Sequence, residues 1–324
     1  MHVLLINNSP IPVYGYGGTE RVIWDLGKTL ARLGHQVSYL VPAGSHCDFG
    51  RVLPIDTARP WAEQIPDDVD IAHFQFNPHV ELDRPYLVTE HGNARKPKPT
   101  PRNTVFLSRN HASRYGSAEY VYNGLDWEAY GPVDFERPRS RYHFLGKAAW
   151  SVKNVRGAIK VAKLAGVELD VLGGDRFQFK RGFRFTFSRQ IHFHGMVGGE
   201  QKNSLLNGSR GLIFPVRWHE PFGLAIIESL YFGCPVFSTP YGSLPELVPE
   251  TCGFLSASAS EMAEAVRANR FDPRACHAHV KQHFSVEAMT RNYLTMYQRV
   301  LDGETLNAQP PVIQDPARNL PWHA

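Results

Sequence analysis

Two carboxylates, Glu220 and Glu228, stand with seven residues between them in Trp218-His219-Glu220-Pro221-Phe222-Gly223-Leu224-Ala225-Ile226-Ile227-Glu228-Ser229. A carboxylate one turn into a helix suits two neighbouring hydroxyls, such as those of a ribose. One in the preceding bend is placed to hold sugar hydroxyls or to face a developing positive charge. Between them, Phe222, Gly223 and Leu224 fall where a helix begins, and the unpaired N–H groups of such a start favour an anion such as a diphosphate. Gly223 lacks a side chain, so a ligand can approach its backbone closely. An exposed loop followed by an ordinary helix glutamate has the same composition. The pair alone does not decide.

The flanking residues position the pair. The apolar run from Gly211 to Val216 predicts a buried parallel strand. Leu224, Ala225, Ile226, Ile227 and Leu230 carry helical periodicity that stops at Gly233-Cys234-Pro235, and a further strand follows through Ser238. The loop therefore leaves the C-terminal end of a strand, where open α/β sheets bind ligands. The chain's first residues repeat the scheme. Residues 3–8 predict a strand, Gly15-Tyr16-Gly17-Gly18 a glycine loop and residues 19–33 a helix, so that loop's N–H groups could meet phosphate or a sugar. The glycine spacing is not that of a dinucleotide fingerprint. Further strands are expected at 69–76, 86–90, 104–108 and 119–122. His91 follows one of them at its productive end. Asp68-Val69-Asp70 lies at the opposite end and reads as solvated charge.

Here a family resemblance enters. Glu220-Pro221-Phe222-Gly223 with Glu228, Gly233-Cys234-Pro235-Val236 and Gly242-Ser243-Leu244-Pro245-Glu246-Leu247-Val248 resemble the signature of retaining family 4 glycosyltransferases. The resemblance implies a GT-B fold: two Rossmann-like domains with the active site in the cleft between them. It also implies transfer of a hexose-type sugar from a nucleoside diphosphate sugar, with a UDP-sugar as the expected donor, to an acceptor hydroxyl with retention. Carried over residue by residue, it assigns Glu220 and His91 to catalysis. Gly17, Gly18, Lys147, Lys153, Phe222, Gly223 and Leu224 go to the donor phosphates, Glu228 to the ribose, and Gly195, Met196 and Val197 to the base. The family usually has an arginine where Lys147 stands, and Lys153 falls one step late, so a point charge replaces a planar bidentate donor. No metal or other cofactor is expected, because cationic side chains and a helix terminus take the phosphate charge.

Composition bounds the rest. The 324 residues suffice for two domains, and a net charge of +4 is too small to argue nucleic acid. No apolar run is long enough to span a bilayer, and Met1-His2-Val3 enters a strand without a signal-peptide pattern. Four scattered cysteines suggest neither zinc nor a disulfide framework, so a reducing cytoplasm, or the inner face of a membrane, is the expected setting. Domains are expected at 1–135 and 142–284, with a linker rich in proline and charge over 131–141. A helix at 285–302 should pack back on the first domain, and 303–324 should form a loose tail. Polysaccharide or glycolipid assembly is the expected setting, with a saccharide, lipid-linked or small-molecule acceptor.

The most unusual stretch is 176–189, where phenylalanine alternates with polar residues around Lys180-Arg181-Gly182 and five basic residues meet no acid. It predicts a β-hairpin. Its phenylalanines are expected to pack on the domain and its charge to serve the acceptor side or an anionic membrane. Two other readings stay open: a non-catalytic sugar-nucleotide-binding protein, and a two-domain NAD-dependent oxidoreductase.

Overall fold

The computed structural model describes residues 1–12, 17–179, 184–316 and 319–323. Gly15 of the glycine loop and Lys180, Arg181 and Gly182 of the hairpin turn lie outside the described residues. The chain divides into two compact units, Met1–Asp126 with Phe284–Pro316, and Trp127–His283 with Ala317–Ala324.

The first unit is built on β1 (His2–Ile6), β2 (Gln36–Val41), β3 (Arg51–Pro54), β4 (Ile71–Phe74), β5 (Tyr86–Thr89) and β6 (Thr104–Val105). They form one parallel sheet in the order β3-β2-β1-β4-β5-β6. Every residue of β1 is buried, as a central strand covered on both faces requires. Helix α1 (Gly18–Arg32) buries Val22, Ile23, Leu26 and Leu30, and Gly34 at φ 86° follows its end. Gly27 lets α1 approach the sheet, since a Cβ there would stand 2.0 Å from Tyr39 Oη. Short helices α2 (Trp61–Gln64) and α3 (Arg109–Ser113) complete the N-terminal segment.

In the second unit, β7 (Arg141–Leu145), β8 (Leu169–Leu172), β11 (Ile191–Phe193), β12 (Ser209–Phe214), β13 (Val236–Ser238) and β14 (Gly253–Leu255) form a parallel sheet. Their order is β11-β8-β7-β12-β13-β14. Two short strands, β9 (Phe177–Gln178) and β10 (Arg184–Phe185), pair antiparallel outside it. The helices are α4 (Val155–Ala165), α5 (Gly199–Asn207), α6 (Leu224–Tyr231), α7 (Leu244–Leu247), α8 (Ala259–Ala268) and α9 (Pro273–His283). Both units are thus doubly wound sheets of Rossmann type.

Helix α10 (Val286–Leu301) belongs to the first unit. Ser285 caps it through Oγ, which accepts from the Ala288 amide at 3.2 Å. Fully buried His73 bonds Tyr297 Oη and Thr89 Oγ1, each at 2.8 Å, which ties the helix to β4 and β5. Arg299 grips Glu119 with two donors at 2.7 and 2.9 Å.

Several expectations need correction. The crossing to the second unit falls after Asp126, not within 131–141. Trp127 stacks on Tyr231 at 4.6 Å and 7°, and Tyr231 Oη donates to the Trp127 and Gly131 carbonyls, so these residues are anchored in the second unit. The segment after Gly303 is not a loose tail. Ile313 is buried with Phe106, Ala112 and Tyr115, and backbone bonds join Thr100 to Pro311 and Val312 to Tyr115. Residues 119–122 form no strand, only a bridge between Tyr120 and Phe106, while β3 had no forecast.

The hairpin forms with its faces reversed. Phe177, Phe179, Phe185 and Phe187 are 44, 64, 53 and 79% exposed, whereas Arg184 and Thr186 between them are buried. Arg184 lies over the Phe193 ring at 4.8 Å and donates to the Asp175 carbonyl at 2.7 Å. Arg176 donates to the carbonyls of Thr186, Ser188 and Ile191. The ribbon's carbonyls thus find guanidinium donors on the face turned to the domain, and the rings are left outside.

Candidate functional site

In the second unit the strand order reverses at β7 and β12, so the loops leaving their C-terminal ends flank the crevice where such sheets bind ligands. The β7 loop carries Lys147 and Lys153; the β12 loop carries Glu220 and Gly223. They hold each other. Arg217 N–H donates to the Val152 carbonyl at 2.7 Å, and Asn154 Nδ2 to the Pro215 carbonyl at 2.9 Å. Asn154 sits at φ 54° and caps α4, its Oδ1 accepting from the Gly157 amide.

Glu220 is buried. Its Oε2 accepts from Lys153 Nζ at 2.6 Å and from the Trp218 indole N–H at 2.8 Å. The Lys153 ammonium also lies over the rings of Phe214 and Trp218, at 5.1 and 5.0 Å. The structure thus brings together a residue expected at the phosphates and one expected at the sugar. Lys147, from the same loop, has its ammonium 5.3 Å from the Trp150 ring.

Gly223 takes the N-cap position of α6 at φ 101°, and a Cβ there would stand 2.9 Å from Ile226 Cδ1. Helix α6 begins at Leu224, and the amides of a first turn have no carbonyl one turn earlier within the helix. Phe222 is buried, and its carbonyl accepts from Ser243 Oγ at 2.5 Å, while the Ser243 amide donates to the Glu220 carbonyl at 2.9 Å. Gly242 lies so near that a Cβ would fall 2.3 Å from both Glu220 N and O, and its φ is +66°. Gly242→Ala should therefore cost about 2 kcal/mol of stability or more, through strain and backbone clash together. Chemical denaturation checks this, and a stability equal to the parent's would show that the Glu220 backbone yields freely.

Glu228, the second carboxylate, lies inside α6 and is also buried. Its Oε1 accepts from Tyr130 Oη at 2.6 Å and from Lys202 Nζ of α5. Lys202 is itself buried and lies over the Tyr130 ring at 5.1 Å. Neither Lys202 nor Tyr130 figured among the sequence candidates. A lysine so buried requires a partner carboxylate, but nothing in the sequence places one beside it.

The ends of β7, β8 and β11 meet through glycines. Gly173, at φ +120°, leaves no room for a Cβ, which would stand 2.2 Å from the Gly146 carbonyl oxygen. Gly173 N–H donates to the Gly195 carbonyl at 2.7 Å, and Gly195 itself sits at φ 68°. Of the expected base-binding residues, Met196 is 52% exposed and Val197 is buried.

In the first unit, Gly17 is extended at φ −179° and takes the N-cap position of α1, with Gly18 the first helical residue. His91 bonds Gln75 Oε1 through Nε2 at 2.9 Å, so that nitrogen carries the proton. Burial lowers its pKa to about 4, leaving the imidazole neutral near pH 7. Adjacent Glu90 is pushed up to about 7 by burial. His111 and Tyr115 hold the loop that follows, both reaching the Gly92 carbonyl. Gln75, which orients His91, joins Lys202 and Tyr130 as a residue absent from the sequence candidates. Asp70 accepts from the His2 amide and Asp68 pairs with Arg51, at the N-terminal edge of the sheet. Among the described residues, no group of three or more His, Cys, Asp or Glu is placed to hold a metal, and no helix is long and apolar enough to cross a membrane.

Among solved structures, the chain is similar to AviGT4, a glycosyltransferase involved in avilamycin A biosynthesis, at TM-score 0.77 and 21% identity over 94% of this chain and 99% of that one. It is also similar to sucrose-phosphate synthase from Thermosynechococcus elongatus, at TM-score 0.72 and 16% identity over 94% of this chain and 100% of that one. HepE of Anabaena, solved in complex with UDP-glucose, matches at TM-score 0.62 and 16% identity over 94% and 99%. No curated protein sequence matches the chain. Residues 140–269 match the model of the family described as glycosyl transferases group 1, so the unit that holds both buried carboxylates carries the group 1 glycosyltransferase signature, in a chain of GT-B fold.

Proposed function

We propose that the chain moves a hexose-type sugar from a nucleoside diphosphate sugar, a UDP-sugar for preference, to an acceptor hydroxyl with retention and without a metal. One observation carries the reading: two buried carboxylates, each paired with a lysine, border the switch point of the second unit's sheet. The HepE structures, solved in complex with UDP and with UDP-glucose, support the choice of donor.

In this reading Glu228, oriented by Lys202 and Tyr130, accepts from the two ribose hydroxyls. Gly195, Met196 and Val197 take the base through backbone groups. The diphosphate meets the first turn of α6 at Phe222, Gly223 and Leu224, with Lys147 beside it. The Lys153 ammonium has three donors, one of them directed at Glu220. When leaving-group charge develops on the diphosphate, these fixed positive groups stabilise it. Glu220 faces the sugar, where positive charge develops. Gly17 and Gly18 act at the donor phosphates, and neutral His91, fixed by Gln75, at the donor sugar. The acceptor is a saccharide, lipid-linked or small-molecule hydroxyl in cell-surface polysaccharide or glycolipid assembly.

Calorimetry against UDP-, GDP-, dTDP- and ADP-sugars, followed by turnover in EDTA, tests this. UDP-sugars should bind most tightly, and turnover should survive the chelator. Activity that EDTA abolishes and Mg²⁺ or Mn²⁺ restores would overturn the metal-free mechanism. Binding of NAD(H) in place of any nucleotide sugar would overturn the whole reading.

A further inference from the structure

None of the residues assigned to the donor lies in the Phe ribbon, which exposes four large apolar side chains, Phe177, Phe179, Phe185 and Phe187, on two short strands. Single exposed apolar residues are ordinary; a contiguous group of rings marks an interaction surface. Phe185 touches both Phe177 and Phe179, and Phe177 also touches Phe187, at centroid distances of 5.7–5.9 Å. Beneath the rings, Arg176 and Arg184 tie the described strands to the domain through bonds to the carbonyls of Asp175, Thr186, Ser188 and Ile191.

A second element adds charge beside it. Helix α4 exposes Arg156, Lys160 and Lys163, whose spacing of four and three puts them on one face. Arg156 and Lys163 line a groove of about 760 Å³ together with Arg184, Phe185 and Phe187. Neither α4 nor the stretch 176–189 contains an acidic residue.

We propose that this face docks the protein on an anionic phospholipid membrane, the rings entering the interface and the cations meeting headgroup phosphates. The partner must be apolar and anionic at once, and a bilayer rich in acidic lipid offers both in adjacent layers. A stacked saccharide fits less well. The rings are inclined to one another by 52–84° and present no common plane.

The test uses the full chain in vesicle co-sedimentation. It should bind phosphatidylglycerol-rich vesicles and not pure phosphatidylcholine vesicles, with release by salt. The double variant Phe179→Ser/Phe187→Ser should bind at least about tenfold more weakly. So should Lys160→Glu/Lys163→Glu, which alters exposed side chains only. Both variants should keep the parent's far-UV spectrum and nucleoside diphosphate affinity, so failure of this proposal stays distinct from failure of the donor assignment. Undiminished vesicle binding by either variant overturns the proposal, as does equal binding to phosphatidylcholine. A parent that binds neither vesicle but forms a dimer, lost in the Phe179→Ser/Phe187→Ser variant, overturns it in favour of self-association.

Discussion

Glu228→Ala should lose both nucleoside diphosphate affinity and stability, and the two losses have separate origins. Removing a carboxylate that accepts from two ribose hydroxyls should cost roughly 2–3 kcal/mol of binding, an affinity drop between about 30- and 150-fold. The same change strands the ammonium of Lys202 in a buried position, which costs roughly 3–5 kcal/mol of folding free energy. A second variant, Glu228→Leu/Lys202→Met, separates them. Replacing a buried pair by apolar side chains of similar volume is often neutral, so stability should return while nucleotide affinity stays low. Calorimetry and denaturant unfolding on the three proteins decide it. If Glu228→Ala binds UDP as the parent does, Glu228 is not the ribose residue. If the double variant recovers both properties, the carboxylate serves only the fold.

Acid should destabilise the chain well before its carboxylates titrate in the ordinary range. Four histidines are held neutral by burial: His91 down to about 4, His111 and His143 to about 3, and His73 well below its usual value. His143, for example, lies between Ser209 and Ser229 with both ring nitrogens bonded. In the unfolded chain each takes up a proton near pH 6.5, while the folded chain does not, so stability falls as pH drops below that point. Two carboxyls oppose this. Asp25 and Glu90 are raised to about 7, chiefly by burial, so folding favours their protonated forms and stability is gained as pH falls through 7. The histidines outnumber the two carboxyls, and His35, His79, His277 and His279 are lowered by burial as well, so unfolding takes up protons and stability falls between about pH 6 and pH 4.5. Urea unfolding at neutral pH and near pH 5 measures the slope. A chain more stable at pH 5 than at pH 7 would mean that Asp25 and Glu90 dominate.

The sequence made some of this legible for definite reasons. Buried parallel strands are continuous apolar runs, so β1 and β12 were readable, and glycine punctuated α1 and α6. Glu220, Gly223 and Glu228 could be placed because one loop and one helix carry all three. Lys202 and Gln75 could not, because each acts through a partner distant in sequence. Alternation in the hairpin showed that its phenylalanines share a face. It could not show which face meets the domain, since that depends on what Arg176 and Arg184 find beneath them. The segment after Gly303 is pinned largely by backbone bonds, which need no particular side chains and leave no trace in composition.

The surroundings of Trp218 give the molecule an optical property. Its indole N–H donates to the Glu220 carboxylate, and the Lys153 ammonium stands 5.0 Å above the ring. Anion at the edge and cation at the face both bear on the same excited-state dipole. Any event that separates Lys153 from Glu220 alters the field across that chromophore, so the second unit carries a native fluorophore wired to its own ion pair, one of six tryptophans and read as the difference from a Trp218→Phe variant.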